Sequence, residues 1–241
     1  MEAASLILLS RQAALQQQMD VLANNIANVN TTAYKGQAVL FQTYVIEPQP
    51  GDRMDFVIDR ATLRNTSTGA MARTGNDLDV ALQGDGYFGV QTPQGVQYTR
   101  AGSFALNNSG DIVTQDGLIV MSLEGQALNV PDDARTIEID QTGRIITDKG
   151  EVGKFQVVTF KREQEMVETG RGLYQTKETG QPVENTRVVQ GMLEQSNVQP
   201  VVEMTRVTEV VRAYQQTLNM LQSENERMRN AIKTLGRVSY N

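Results

Sequence analysis

The C-terminal stretch from Val201 to Leu235 has the sequence VVEMTRVTEVVRAYQQTLNMLQSENERMRNAIKTL, with neither glycine nor proline. Those two residues interrupt helices, so their absence over such a length favours one long helix. At ~1.5 Å per residue this helix would be about 50 Å long. Pro200 suits its first turn, with Ser196 or Asn197 as candidate caps, and Gly236 suits its end.

Hydrophobic side chains recur along this stretch at alternating spacings of three and four residues. Such spacing is the heptad pattern of a helix that packs against another helix. A polar residue within the pattern, here Asn225, can fix the register of packing at some cost in stability. The predicted seam consists of Met204, Val207, Val211, Tyr214, Leu218, Leu221, Asn225, Met228, Ile232 and Leu235.

The N-terminal residues 1–35 also lack glycine and proline, and they carry a weaker seam. Their polar face consists of glutamine and asparagine rather than lysine and glutamate, which makes it less costly to bury against other chains. A long helix gains most of its stability from packing, so the two terminal helices are predicted to pair in antiparallel order. The N-terminal seam consists of Leu8, Gln12, Leu15, Met19, Leu22, Ile26 and Val29.

The middle of the chain is rich in turns, with 18 of the 20 glycines between Gly51 and Gly191. Short runs of β-branched and aromatic residues separated by turn signals predict an irregular antiparallel β domain. The predicted fold class is therefore α+β. A discontinuous helical coiled-coil domain is formed by residues 1–35 and 198–241, an extended connector by 36–78 and a β-rich outer domain by 79–197. The candidate strands are Asp79–Leu82, Tyr87–Gln91, Val96–Arg100, Ile112–Thr114, Leu118–Leu123, Thr136–Asp140, Arg144–Thr147 and Phe155–Lys161.

The composition excludes several classes of function. The chain has no cysteine and no histidine, which rules out thiolate sites and a Ser-His-Asp triad. A net charge of −6 without a basic stripe disfavours nucleic acid and anionic membrane surfaces. No apolar run approaches the ~20 residues of a membrane span, and no signal-peptide pattern opens the chain. We expect no catalytic residue, metal, cofactor, small-molecule substrate or membrane insertion.

One sequence pattern imitates a nucleotide-binding loop. Gly84-Asp85-Gly86-Tyr87-Phe88-Gly89 fits G-x-G-x-x-G, but the dinucleotide site requires a helix directly after these glycines. Here Val90 follows and Pro93 soon interrupts the chain, so the pattern predicts a turn that leads into a strand.

The stretch Ala23-Asn24-Asn25-Ile26-Ala27-Asn28-Val29-Asn30-Thr31-Thr32-Ala33-Tyr34-Lys35 resembles the N-terminal signature of the bacterial flagellar rod and hook proteins. That signature is roughly A-N-N-[IL]-A-N-x-N-T-x-[GA]-[FY]-[KR]. Three further regions resemble the same family in the right order along the chain: residues 78–88 with 98–104, residues 190–198, and Arg212-Ala213-Tyr214. The family often has glycine at the position of Ala33, so we expect this turn to avoid positive φ here.

The resemblance implies a structural subunit of the flagellar basal-body rod, not an enzyme. Its expected partners are copies of itself, other rod proteins and, during secretion, the flagellar type III export apparatus. It would be exported without a cleaved signal and assemble helically in the periplasm, with the terminal helices in the inner wall of a tube that transmits torque from motor to hook. Ser10-Arg11-Gln12 and residues 221–232 resemble the proximal rod branch. The distal rod branch and a non-flagellar coiled-coil binding module stay as alternatives.

Overall fold

The computed structural model describes residues 2–46, 54–183 and 186–238. Helix α1 spans Glu2–Ala27 and helix α2 spans Pro200–Val238, while the described residues between them form strands and turns. The α+β fold class is thus confirmed. The strands are β1 Gln37–Ile46, β2 Met54–Arg64, β3 Met71–Arg73, β4 Val80–Gln83, β5 Tyr87–Thr92, β6 Gly95–Thr99, β7 Phe104–Leu106, β8 Ile112–Thr114, β9 Ile119–Val120, β10 Ile137–Ile139, β11 Arg144–Thr147, β12 Gly150–Lys154, β13 Val157–Thr159, β14 Val167–Gly170, β15 Leu173–Gln175, β16 Gln181–Pro182, β17 Arg187–Gln190 and β18 Met192–Glu194, with a 3-10 turn at Glu163–Glu165.

The C-terminal ends of both helices differ from the sequence prediction. Helix α1 ends at Ala27, so Val29 lies outside it. Asparagine and threonine dominate residues 28–32, and their side chains compete for backbone hydrogen bonds, as the Oγ1 of Thr31 does when it donates to the Oδ1 of Asn28. Helix α2 begins at Pro200 as predicted but continues through Gly236 to Val238. Glycine weakens a helix by about 1 kcal/mol and does not forbid it.

By its internal contacts the chain separates into two units. Unit 1 contains residues 1–27, 37–65 and 199–241, and unit 2 contains residues 28–36 and 66–198. The division of roles among residues 1–35 with 198–241, 36–78 and 79–197 concerns assembly and stays a prediction.

In unit 1, α1 contacts α2 and both strands of a long hairpin. The hairpin pairs β1 with β2 in antiparallel order from Gln37 opposite Arg64 onward, with a bulge at Leu40 and Phe41. Residues 36–78 were predicted to form an extended connector, and the sequence did not reveal this hairpin. Its first strand, QAVLFQTYVI, lacks the strict alternation that marks a half-buried strand.

In unit 2, the strand pairs of the described residues are all antiparallel. The largest sheet has the order β14-β15-β6-β5-β9-β8-β7, with β13 joining β5 and β16. A smaller sheet has the order β10-β11-β12, and the pairs β17-β4 and β18-β3 are separate. Each of the eight predicted strand regions contains a strand. The other strands of unit 2, which the sequence did not predict, have two to five residues, too few to show a clear period.

The core of unit 2 lies on both faces of β5. Phe88 packs edge-to-face against Phe104 and Phe155, with ring centroids 5.2 and 5.5 Å away. Its neighbour Tyr87 points to the opposite face, where its ring lies 5.7 Å from that of Tyr174. Successive side chains of a strand alternate between faces, which explains how two adjacent aromatic residues enter two different clusters.

Within the described ranges, neither helix has a stretch apolar enough for its length to cross a membrane.

Candidate functional site

The predicted assembly motif, Ala23 to Lys35, is divided between the two units. Residues up to Ala27 belong to unit 1 and residues from Asn28 to unit 2. The structure buries Asn25, Ala33, Tyr34 and Lys35. The remaining motif residues are half-buried, namely Ile26, Asn28, Val29 and Thr32, or exposed, namely Ala23, Asn24, Ala27, Asn30 and Thr31.

Asn25 is the polar anchor of unit 1. Its Nδ2 donates to the carbonyl of Gln37 at 2.8 Å, and its Oδ1 accepts from the Gln37 N–H at 2.9 Å. The same Nδ2 donates to the Oε2 of Glu203 at 3.1 Å. A side-chain amide offers both donor and acceptor, so Asn25 pairs with Gln37 much as one strand pairs with another. This links the end of α1 to the first residue of β1 and to the first turn of α2.

The carboxylate of Glu203 is buried and has two side-chain donors. Besides Asn25, the Nη1 of Arg206 donates to its Oε1 at 2.7 Å. Farther along the helices, the Nε2 of Gln12 donates to the hydroxyl of Tyr214 at 2.9 Å. Asn25, near the end of α1, thus meets Glu203 at the start of α2, whereas Gln12, earlier in α1, meets Tyr214, later in α2. The two helices therefore run antiparallel where these hydrogen bonds join them.

The stripe of α2 that is buried within the chain is rotated relative to the hydrophobic seam. The fully buried residues are Glu203, Val210 and Thr217, each one position before a predicted seam residue. One residue corresponds to about 100° around a helix. Met204 is consequently 57% exposed. Among the other seam residues, Val207, Val211, Tyr214, Leu218, Leu221 and Met228 are half-buried, Ile232 is exposed, and the side chain of Leu235 lies outside the described residues.

On α1 the predicted seam is only one part of the buried surface. Leu22 is buried, and Leu8, Gln12, Leu15, Met19 and Ile26 are half-buried. A second row, Ala14, Val21 and Asn25, is buried as well. The helix contacts α2 as well as the hairpin, and this explains why two rows of residues are covered.

Unit 2 contains a buried ionic cluster formed by Lys35, Glu194 and Arg100. The Nζ of Lys35 lies 2.6 Å from the Oε1 of Glu194, and the Nε of Arg100 lies 2.8 Å from its Oε2. These three residues are only 3%, 2% and 6% exposed, respectively. A buried charge is tolerated when it is paired and fully hydrogen-bonded. Each of the two carboxylate oxygens here has a cationic partner.

Arg100 also fixes the turn between β4 and β5. Its Nη1 donates to the carbonyl of Gly86 at 2.6 Å, and its Nη2 donates to the carbonyls of Leu82 at 2.8 Å and Gly84 at 2.5 Å. Gly84 and Gly86 have φ of +116° and +140°, values that favour glycine. The first two glycines of the G-x-G-x-x-G pattern therefore lie in a turn whose carbonyls accept hydrogen bonds from Arg100, and a strand follows this turn.

Backbone hydrogen bonds hold the chain around Lys35 in place. The N–H of Ala33 donates to the carbonyl of Glu194 at 2.8 Å, and the N–H of Gly36 donates to the Oδ1 of Asn197 at 2.8 Å. Asn197 therefore holds the preceding turn in place, whereas the sequence suggested it as a cap of α2. Ala33 adopts φ of +55°, so the expectation that alanine would avoid positive φ here was wrong. Its buried position and its hydrogen bond compensate for the steric cost.

The electrostatics of the cluster favour a charged glutamate. Burial by itself would raise the pKa of Glu194, but the charge of Arg100 and the hydrogen bonds from Lys35, Arg100 and the Gly69 N–H outweigh it, so the pKa is lowered. For Lys35, burial dominates and lowers the pKa, while the hydrogen bond and charge of Glu194 oppose that shift.

Strand pairing explains why Glu194 reaches the cluster. Strand β18 pairs with β3, which places Glu194 opposite Met71 and close to Gly69, whose N–H donates to the Oε1 of Glu194 at 2.9 Å. Three of the four stretches that carry the family resemblance thus meet here, through Lys35, the Gly84 and Gly86 carbonyls, Arg100 and Glu194. Sequence patterns indicated no role for Arg100 or Glu194, and they placed Glu203 on a solvated outer face of the helix, whereas the structure buries it. For Arg100 and Glu194, the available signal was a charged residue within a family-like stretch.

The described residues contain no group of three acidic side chains arranged to hold a metal ion.

Comparison with known proteins identifies the family. The family model for "Flagella basal body rod protein" matches residues 6–35, that for "Flagellar hook protein FlgE/F/G D1 domain" matches 81–147, and that for "Flagellar basal body rod FlgEFG protein C-terminal" matches 189–234. The flagellar basal-body rod protein FlgF of Caulobacter vibrioides is 35% identical, over 96% of this chain and 97% of its own length.

Two further relatives have similar coverage. FlgF of Mesorhizobium japonicum is 30% identical over 97% of this chain and 98% of its own length. The rod protein FlgG of Bacillus subtilis is 31% identical over 88% of this chain and 90% of its own length. The chain therefore belongs to the flagellar basal-body rod protein family, in which it resembles FlgF more than FlgG.

Proposed function

We propose that this chain is a structural subunit of the proximal flagellar rod, which assembles with copies of itself and with other rod proteins into a helical tube. Its membership of the rod family makes it a structural component of the basal body and not an enzyme. The proximal position is supported by the similarity to FlgF over nearly the whole chain. A distal position is the second candidate, favoured by the FlgG relatives.

We assign the assembly contacts to the helices of unit 1, as a coiled-coil arrangement completed by neighbouring subunits. The observation that carries this proposal is the unequal length of α1 and α2. Ten residues of α1 precede Gln12, back to Glu2, whereas 24 residues of α2 follow Tyr214, up to Val238. Since these two residues meet, α2 extends about 14 residues, or about 21 Å, beyond the described start of α1.

The overhanging part of α2 continues the hydrophobic seam. Ile232 lies on this part and is 69% exposed, at a position where the heptad pattern calls for a partner helix. Exposed apolar residues in such a row typically mark an interaction surface. The proposed occupant is a terminal helix of an adjacent subunit, and contacts of this kind, repeated without closing, build a helical tube.

The remaining parts of the proposal concern export, location and torque. The subunit would be exported by the flagellar type III apparatus without a cleaved signal and would assemble in the periplasm. The β-rich region from 79 to 197 would form the outer part of the tube, with residues 36–78 leading to it. The assembled rod would transmit torque from motor to hook.

The substitution Ile232→Asp tests the assembly surface. We expect the isolated protein to unfold at an unchanged urea concentration, because the side chain is exposed, and we expect the strain to lose motility and rods. Val167→Asp is the matched control, since Val167 is 65% exposed on β14 of unit 2. Normal basal bodies from the Ile232→Asp strain would overturn the proposed surface. The distal position would be favoured if this chain restored motility to a strain that lacks its FlgG-type protein and did not restore it to a strain that lacks its FlgF-type protein.

A further inference from the structure

Three segments of unit 2 meet beside three of the four positions where the chain passes from one unit to the other. These segments are 33–36, 66–70 and 194–198, which adjoin the passages at residues 36/37, 65/66 and 198/199. The carbonyl of Ser67 accepts from the Nζ of Lys35 at 2.8 Å and from the Nδ2 of Asn197 at 2.9 Å. The same polar groups therefore hold all three segments together. This polar set consists of Lys35, Ser67, Arg100, Glu194 and Asn197.

The contributions of Lys35 and Arg100 to this set are unequal. Without Lys35, the Oε1 of Glu194 keeps the Gly69 N–H, its Oε2 keeps Arg100, and Ser67 keeps Asn197. No acceptor of the set would be left without a partner. Without Arg100, three carbonyls and the Oε2 of Glu194 would each lose the bond that it provides. An acceptor that is buried and unsatisfied is costly, whereas a lysine that leaves returns to water.

The segment 28–36, which carries Lys35, is hydrogen-bonded to the rest of unit 2 at residues 33–36. The Ala33 N–H and the Lys35 Nζ donate to Glu194, and the Nζ also donates to the Ser67 carbonyl. The Gly36 N–H donates to the Oδ1 of Asn197, and the carbonyl of Tyr34 accepts from the Asn197 N–H at 3.2 Å. Asn30 and Thr31 at its other end are exposed. Lys35 is the only charged residue of this segment, so docking of the segment buries one charge, which Glu194 neutralises.

We propose that Lys35 is a detachable clasp. It holds residues 28–36 on the β unit, meaning residues 66–198 of unit 2, and the β unit folds without this contact. In the closed state the ammonium of Lys35 is bound by Glu194 and Ser67. In the open state residues 28–36 leave, while the pair of Glu194 and Arg100 persists and keeps the β unit closed. The proposal concerns the single chain and does not depend on rod assembly.

Hydrogen exchange on the full chain tests the clasp, with Lys35→Met as the variant. Methionine preserves the length of the side chain and removes its charge. We expect exchange at the amides of Ala33 and Gly36 to accelerate about ten- to a hundredfold, as loss of a charged hydrogen bond implies. Exchange in the core strands, at Val90 and Ile112 for example, should stay as slow as in the unsubstituted protein.

Two further variants complete the experiment. Arg100→Met should accelerate exchange throughout unit 2, because it removes the bonds of the β4–β5 turn. Lys149→Met is the matched control, since it removes a lysine from an exposed pair with Asp133. Unchanged exchange at Ala33 and Gly36 in Lys35→Met would overturn the proposal, as would a loss of protection across all strands like that of Arg100→Met.

Discussion

Glu194 lies between Lys35 and Arg100, with its Oε1 2.6 Å from the Nζ of Lys35 and its Oε2 2.8 Å from the Nε of Arg100. Lysine, arginine and glutamate come from three distant parts of the chain, and all three side chains are buried. A carboxylate shared by two buried cations is the element whose removal the cluster tolerates least, because two like charges would then face each other in a medium of low dielectric.

Glu194→Gln should therefore destabilise the protein by about 3 kcal/mol, the cost typical of breaking a buried ion pair from one side. The amide preserves the shape of the side chain but leaves two cations without their counter-charge. Urea unfolding measures the loss. Glu124→Gln, at an exposed position, is the matched control and should leave the midpoint unchanged. Equal midpoints for both variants would contradict the role given to the cluster.

The same carboxylate should contribute to acid sensitivity. The pKa of Glu194 is lowered from its ordinary value of 4.5, because Arg100 and the surrounding donors outweigh the effect of burial. A depressed pKa means that the unfolded chain binds the proton more readily, so this stabilisation is complete above pH 4.5 and is lost as the pH falls toward the folded pKa. Unfolding free energies measured between pH 7 and pH 3 should fall less steeply for Glu194→Gln. Parallel curves for the two proteins would refute this assignment.

Asn25→Asp should destabilise the helical unit although the two side chains have nearly the same shape. A carboxylate cannot donate to the carbonyl of Gln37, and its charge would face the buried carboxylate of Glu203. The expected loss is about 2–3 kcal/mol at neutral pH, decreasing when acid protonates the new side chain. Helical circular dichroism during thermal unfolding provides the measurement. Asn30→Asp, at an exposed motif position, should have little effect, and a comparable loss there would argue against the special role of Asn25.

Glycine substitutions at two alanines of the motif should change the free energy of unfolding in different directions. Ala33 has φ of +55°, a conformation that costs a residue with a Cβ about 1–2 kcal/mol. Ala33→Gly removes that cost and adds about 0.4–1 kcal/mol of unfolded-state entropy, so it should be neutral or slightly stabilising. Ala23→Gly, in the exposed face of α1, should cost about 1 kcal/mol. Chemical denaturation of both variants checks the comparison, and a clear destabilisation by Ala33→Gly would show that the methyl group of Ala33 contributes packing.

The sequence by itself determined the elements whose periodicity is long. The glycine-free ends predicted both helices, and the turn signals predicted the eight strand regions in the middle. The resemblance of four stretches to one family indicated the function before any contact was known. These features are local, because each depends on residues that lie within one or two turns of each other along the chain.

Only the tertiary structure decided which residues meet. Sequence spacing showed that α2 has a hydrophobic seam, but the chain buries Glu203, Val210 and Thr217 instead of Met204 and its equivalents. The residues of a helix that become buried are those facing the surface that covers it. The surface of α1 that covers α2 includes the polar side chains of Gln12 and Asn25. The left-handed turn at Ala33 and the cluster around Glu194 have the same origin. Burial and pairing of residues far apart in the chain provide the energy for both, and no local pattern records which distant partner a residue will find.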